Sequence, residues 1–160
     1  AAVEGVVTAA NFNAPGQVVI AGAKAAVDLA IQACKDAGAK RAVALDVSGP
    51  FHSPLMAPAA EEFSKILDAT AVQMPRITVV QNVEAKPAGN EHQIRANLVA
   101  QLSAPVRWTE TIERLVNDGA QQFIESGPGN VLSGLVKRIA RGTPTVSLSS
   151  NEGLESAIGL

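Results

Sequence analysis

"EGVVTAANFNAPGQVVIAG", residues 4–22, places two runs rich in Val and Ile on either side of a turn. Residues 4–11 and 16–22 read as strands, because β-branched side chains fit a pleated, half-buried surface. Between them "NFNAPG" supplies turn chemistry: Asn bonds its own backbone, Pro fixes φ, and Gly accepts a positive φ. The stretch predicts an antiparallel hairpin. Residues 24–37 then repeat apolar side chains at helical spacing, with Val27, Ala30, Ile31 and Cys34 on one face. Lys24, Asp28, Gln32, Lys35 and Asp36 fall on the others, and Gly38 suits a helix C-terminus. Residues 40–47, "KRAVALDV", read as a third strand. The order ββαβ is part of a ferredoxin-like βαββαβ unit without its first strand and helix. The chain begins at Ala1 rather than Met, in mid-pattern, so it is expected to be the later part of a longer protein.

Beyond residue 47 the rhythm changes. Helices are expected over 55–69, 90–102, 107–118 and 130–141, with a short one over 151–159. Met56, Ala59, Ala60, Phe63, Ile66 and Leu67 form the apolar stripe of the first, and Asn90 is the N-cap of the second. Strands are expected over 76–81, 121–125 and 144–148. Strands alternating with helices imply an α/β fold with a mostly parallel sheet under helical cover. The chain therefore divides into a partial ferredoxin-like subdomain, 1–47, and an α/β core, 48–160.

Composition sets limits. The formal net charge is −2, and no basic stripe with aromatic stacking residues is present, so nucleic acid is not an expected partner. No run reaches the roughly 20 apolar residues of a membrane span, since Lys24 and Asp28 interrupt the nearest candidate. A single cysteine, Cys34, allows no internal disulfide, and no Cys/His cluster has metal-ligand spacing. On the apolar face of its helix, Cys34 is expected to be buried and inert. A cytoplasmic location and no bound cofactor or metal are expected.

Of the two histidines, His52 sits in "SGPFHSPLM", residues 48–56, where Pro50 and Pro54 stiffen the backbone on both sides. Histidine is the common general base near neutral pH. Spacing alone leaves both a catalytic and a structural role open. A hydrolase or acyltransferase of α/β type needs a serine on a Gly-x-Ser-x-Gly elbow, and residues 1–160 contain no such string. Ser53 adjoins His52, but neighbouring side chains in an extended turn diverge. In "ESGPGNVLSGLVKRI", residues 125–139, a strand turns at once into a helix whose N-terminus could attract an anion. A tight, closely packed βα turn is the simpler reading. Lys137, Arg138 and Arg141 suit the negative end of that helix, and also suit an acidic partner. His92, among polar residues, is expected on the surface.

Four stretches, "NFNAPGQVVIAG", "FHSPLMAPAAEEF", "QLSAPVRWTETIERL" and "IESGPGNVLSGLVKRI", agree in order and spacing with one family. Between residues 11 and 139 the chain resembles the C-terminal half of the malonyl-CoA:acyl carrier protein transacylases. The resemblance implies an α/β-hydrolase-like core with a ferredoxin-like insert, and a two-step acyl shuttle. In that shuttle a serine on a Gly-His-Ser-x-Gly elbow takes malonate from coenzyme A and passes it to the phosphopantetheine thiol of acyl carrier protein. By the same resemblance His52 is the histidine that activates the serine, and Gln101 offers a backbone carbonyl to its other ring nitrogen. Asn11 and Asn13 match asparagines near the acyl-donor cleft. Phe51 matches an aromatic that leaves no room for an α-methyl branch on the acyl group. The serine, its oxyanion donors and the arginine that pairs with the malonyl carboxylate belong to the family's N-terminal half. The isolated chain is therefore expected to be inactive and to require that half.

Two other readings remain at this point. The chain could be a non-catalytic module docking acyl carrier protein through Arg107, Arg114, Lys137, Arg138 and Arg141. It could also be a thioesterase of the same architecture with His52 as its base.

Overall fold

The computed structural model describes residues 4–150 and Glu155. Strands β1 (Val7–Ala14) and β2 (Gln17–Gly22) form the expected antiparallel hairpin. Strand β1 lies three residues later than expected: residues 4–6 stay outside it, residues 11–14 are extended, and the turn is only Pro15-Gly16. Gly16 takes φ 73°, open to glycine without strain. Two register shifts, at Ala9/Asn11 and at Phe12/Ala14, add local twist to β1. Helix α1 (Lys24–Asp36) packs on the hairpin through Ala26 and Ala30, both buried. Cys34 is exposed rather than buried. The hairpin covers the helix at Ala26 and Ala30, and the last turn, which carries Cys34, extends beyond that buried face.

Residues 40–47 are not a strand. They join no ladder among the described residues, and Val43, Leu45 and Val47 are 52%, 57% and 63% exposed. Alternating apolar residues make a strand only when a neighbour supplies the hydrogen bonds. The observed order at this end is therefore ββα.

After a 3₁₀ turn over Pro54–Met56 comes helix α2 (Ala57–Asp68), with Ala60 and Leu67 buried. Ile66 of the expected stripe points outward at 64% exposure. The strand expected over 76–81 shrinks to β3 (Val80–Gln81), which pairs antiparallel with β4 (Lys86–Pro87). Helix α3 (Glu91–Ala100) is capped as expected: the Asn90 side chain accepts from the Gln93 amide at 2.8 Å. Helix α4 (Trp108–Asn117) lies against β1 and buries Thr111 and Ile112. Strand β5 (Phe123–Glu125), helix α5 (Val131–Ile139) and strand β6 (Thr145–Ser147) close the described fold, with β5 and β6 parallel. The short helix expected over 151–159 lies, but for Glu155, outside the described residues.

In place of the expected mostly parallel sheet, the described residues form three two-stranded sheets, only one of them parallel. Helices α2 and α3 pack together, and Arg95 of α3 donates to the carbonyls of Leu67 and Thr70 at the C-terminal end of α2. That contact satisfies carbonyls a helix end leaves free. The result is a frame with His52 just before one helix and Gln101 just after the other. No helix among the described residues is long and apolar enough to cross a membrane.

Candidate active site

Pro50, Phe51, His52 and Ser53 make a four-residue turn in which His52 has φ 59°. A side chain with a Cβ is uncommon in this left-handed region, though His enters it more readily than most residues. Ser53 is extended (φ −127°, ψ 163°), as a residue before proline should be. Pro54 then starts the 3₁₀ turn, where its missing N–H costs nothing.

Two consecutive carbonyls beyond α3 hold the histidine. The main-chain amide of His52 donates to Leu102 O at 3.1 Å. Nδ1 of its ring lies 2.7 Å from Gln101 O. A carbonyl oxygen only accepts, so Nδ1 carries the proton and Nε2 presents a lone pair. The half-buried imidazole therefore has one nitrogen fixed and the other free to take a proton.

Gln101 is held in turn. Its amide donates to Asn97 O at 3.0 Å. The Asn97 side chain, 7% exposed, donates to Gln81 Oε1 at 3.0 Å and to Glu84 Oε2 at 3.4 Å. Gln93 donates to the same Glu84 oxygen at 2.8 Å. This part-buried polar network, with Asn97 as its buried centre, ties α3 to the β3–β4 hairpin. A polar Asn on the inner side of a helix was the one signal for it.

From Gln101 the chain runs to Val106, which bridges β1 in parallel. Val106 N donates to Ala10 O at 2.8 Å, and Phe12 N donates to Val106 O at 2.9 Å. Half-buried Asn11 is the residue these two bonds flank. One short segment thus joins the His52 clamp to the strand carrying Asn11 and Asn13. Phe51 is 48% exposed, and its ring lies against Gly49, where an added Cβ would come within 3.3 Å of the ring tip.

The other candidates sort differently. Ser53 is fully buried, and its hydroxyl donates to Pro50 O at 2.6 Å, so it is no nucleophile. Exposed His92 matches its expectation. The N-terminus of α5 is filled from within the chain: the two oxygens of Glu125 accept from Leu132 N at 3.0 Å and Ser133 N at 2.7 Å. Burial pushes this carboxyl up, but the bonds from Ser133 and Leu132 outweigh burial and hold it below the usual carboxylate range. The tight βα turn is therefore what the residues build, and an external anion would meet Glu125 there.

Of the basic residues, Arg107 and Arg114 pair with Glu110 and Asp118. Arg138 donates to Gln17 and to the Pro15 carbonyl at the hairpin turn. Lys137 and Arg141 are exposed and carry no ion pair among the described residues. A groove of about 400 Å³ lined by Met74, Arg76, Ile77, Val79, Pro87 and Ile94 contains none of the candidate site residues.

Residues 1–149 match the model of the acyl transferase domain, and the chain belongs to that family. Its mixed α/β fold is that of the family's solved members. The relatives are more specific. The chain is 52% identical over 144 residues to the malonyl CoA-acyl carrier protein transacylase of Haemophilus influenzae, covering 90% of this chain and 46% of that protein. It superposes on the crystal structure of the malonyl-CoA:acyl carrier protein transacylase of Xanthomonas oryzae with TM-score 0.94 and 41% identity, covering 97% of this chain and 49% of that one. It also matches, at TM-score 0.94 and 46% identity, a malonyl-transacylase solved in complex with a type II polyketide acyl-carrier protein, with coverage of 97% and 50%. The chain thus spans about half the length of the relatives it matches.

Proposed function

We propose that this chain contributes the histidine side of a malonyl-CoA:acyl carrier protein transacylase acting in fatty acid synthesis. His52 is its general base. The observation that carries the reading is the 2.7 Å contact of His52 Nδ1 with Gln101 O, which leaves Nε2 basic and aimed away from the clamp. The names of the relatives supply the substrate class.

In the proposed cycle His52 Nε2 takes the proton of a serine hydroxyl as its oxygen attacks the malonyl thioester carbonyl. The C–S bond breaks, and the coenzyme A thiolate leaves with the proton from the imidazolium. The acyl-serine is then attacked by the phosphopantetheine thiol of acyl carrier protein. His52 takes the thiol proton and returns it to the serine oxygen. The serine and its oxyanion donors come from a Gly-His-Ser-x-Gly elbow, which is not among residues 1–160. A neutral carbonyl in place of the triad carboxylate avoids a second negative charge beside the malonyl carboxylate.

Phe51 limits the acyl group to unbranched malonate, Asn11 and Asn13 border the donor cleft, and Lys137, Arg138 and Arg141 meet the acidic carrier protein. The architecture proposed is an α/β-hydrolase-like core over 48–160, with residues 1–47 as part of a ferredoxin-like insert.

The test combines this chain with the serine elbow and offers malonyl-CoA with acyl carrier protein. The expected product is malonyl-acyl carrier protein, detected by intact mass. Hydrolysis to free malonate at an equal rate would favour a thioesterase instead. Carrier-protein binding with no transfer would favour a docking module.

A further inference from the structure

We propose that Ser53 is the positioning residue of this site: its buried hydroxyl closes the turn that holds His52 in the left-handed conformation. Four observations meet here. His52 has φ 59°, a conformation normally left to glycine at the third position of a turn. Ser53 has 0% exposure, the lowest among the described residues at this site. Its Oγ donates to Pro50 O at 2.6 Å, the carbonyl that opens the turn. The same Oγ accepts from Leu55 N at 3.3 Å, inside the 3₁₀ turn that leads to α2.

The hydroxyl therefore spans His52. It bonds two residues before and three residues after, and fixes both arms of the turn to one atom. On the opposite side Leu102 O and Gln101 O grip the His52 amide and ring. The carbonyls can hold the imidazole only while His52 keeps its positive φ. Without the hydroxyl, Pro50 O loses this part-buried partner and the arms of the turn are free to relax. A residue held in a sparsely populated region persists only while its surroundings enforce it. A buried serine inert as a nucleophile thus sets the direction of the base. This statement concerns the geometry of His52; its consequence for turnover rests on the transfer reading above.

The chain has two histidines, so the imidazole spectrum contains its own control in exposed His92. The experiment is ¹⁵N-detected imidazole NMR above pH 8 on the unmodified chain and on Ser53→Ala. In the unmodified chain His52 should show the Nδ1–H tautomer, distinct from the mobile mixture at His92. In Ser53→Ala the His52 signals should move toward those of His92, with His92 and the α4 amides unchanged. A folded Ser53→Ala chain with the unmodified His52 signals would overturn the proposal. Should that variant fail to fold, amide exchange in the unmodified chain decides. The Leu55 and His52 amides belong to one closure and should exchange through one opening, at rates within about threefold after correction for intrinsic exchange. Rates differing tenfold or more would overturn it.

Discussion

His52 Nδ1 and the main-chain oxygen of Gln101 lie 2.7 Å apart, so the partner of the histidine is a peptide group and not a side chain. A peptide carbonyl carries no charge at any working pH and survives most substitutions of its own residue. It fixes the tautomer of the ring without adding a negative charge to the site. Gln101→Ala should therefore leave acyl transfer within about threefold of the unmodified protein in a steady-state assay. A loss of a hundredfold would mean that the Gln101 amide side chain, and not its carbonyl, is what matters.

Glu125 makes an acid-linked prediction. Its carboxyl is held below the ordinary range, so the folded state binds its proton less readily than the unfolded chain does. The stabilisation is then fully present above the unfolded carboxylate value of about 4.3, and is lost as pH falls through the lower folded value. Glu125→Gln should cost about 1 kcal/mol near pH 7, the usual size of a lost helix cap. The gap between the urea midpoints of the two proteins should narrow steadily as pH falls below the unfolded carboxylate value of about 4.3. A gap that is constant down to pH 3 would contradict the role of the charge.

Two isoleucines separate the core from the surface. Ile112 of α4 is 1% exposed, whereas Ile66 of α2 is 64% exposed. Ile112→Ala should cost about 2–5 kcal/mol by denaturant titration, and Ile66→Ala about 0.5 kcal/mol or less. Equal losses would mean that Ile66 is packed as firmly as Ile112, contrary to their burial.

Two glycines of the hairpin separate strain from crowding. At Gly16 an added Cβ meets no atom within 4 Å, so Gly16→Ala carries only the cost of its positive φ, about 1–2 kcal/mol. At Gly22 the same atom would fall 2.0 Å from Val6 O, and the backbone must shift. Gly22→Ala should be the more destabilising of the two in thermal melts. The reverse order would place the hairpin in a different register.

Much of this fold is legible in the sequence because its signals are local. The β-branched runs around Pro15-Gly16 give the hairpin, and the helical spacing over 24–37, 55–69, 90–102, 107–118 and 130–141 gives helices α1 to α5 to within two residues at each end. Residues 40–47 mislead because alternation records which side chains want cover, while a strand also needs a neighbour's hydrogen bonds. The same holds for residues 76–79. His52 stood out through its flanking prolines. Its holders did not: Gln101 O and Leu102 O are main-chain atoms that any residue could supply, and Gln101 entered only through a family resemblance. Glu125 is not legible, because it closes on a helix seven residues further on, across a glycine-rich turn whose path the sequence does not specify. Ser53 showed a hydroxyl beside a histidine, but not that the hydroxyl faces the backbone.

The central claim is that His52 is a base and not a packing residue. Its most direct test is the rate of malonyl transfer to acyl carrier protein by His52→Ala, with this chain joined to its serine elbow and the folded fraction measured by circular dichroism. The account predicts a loss of about 10²–10⁴ in rate, the usual worth of a positioned general base, with the fold intact. A variant whose activity falls only in proportion to its folded fraction would contradict it.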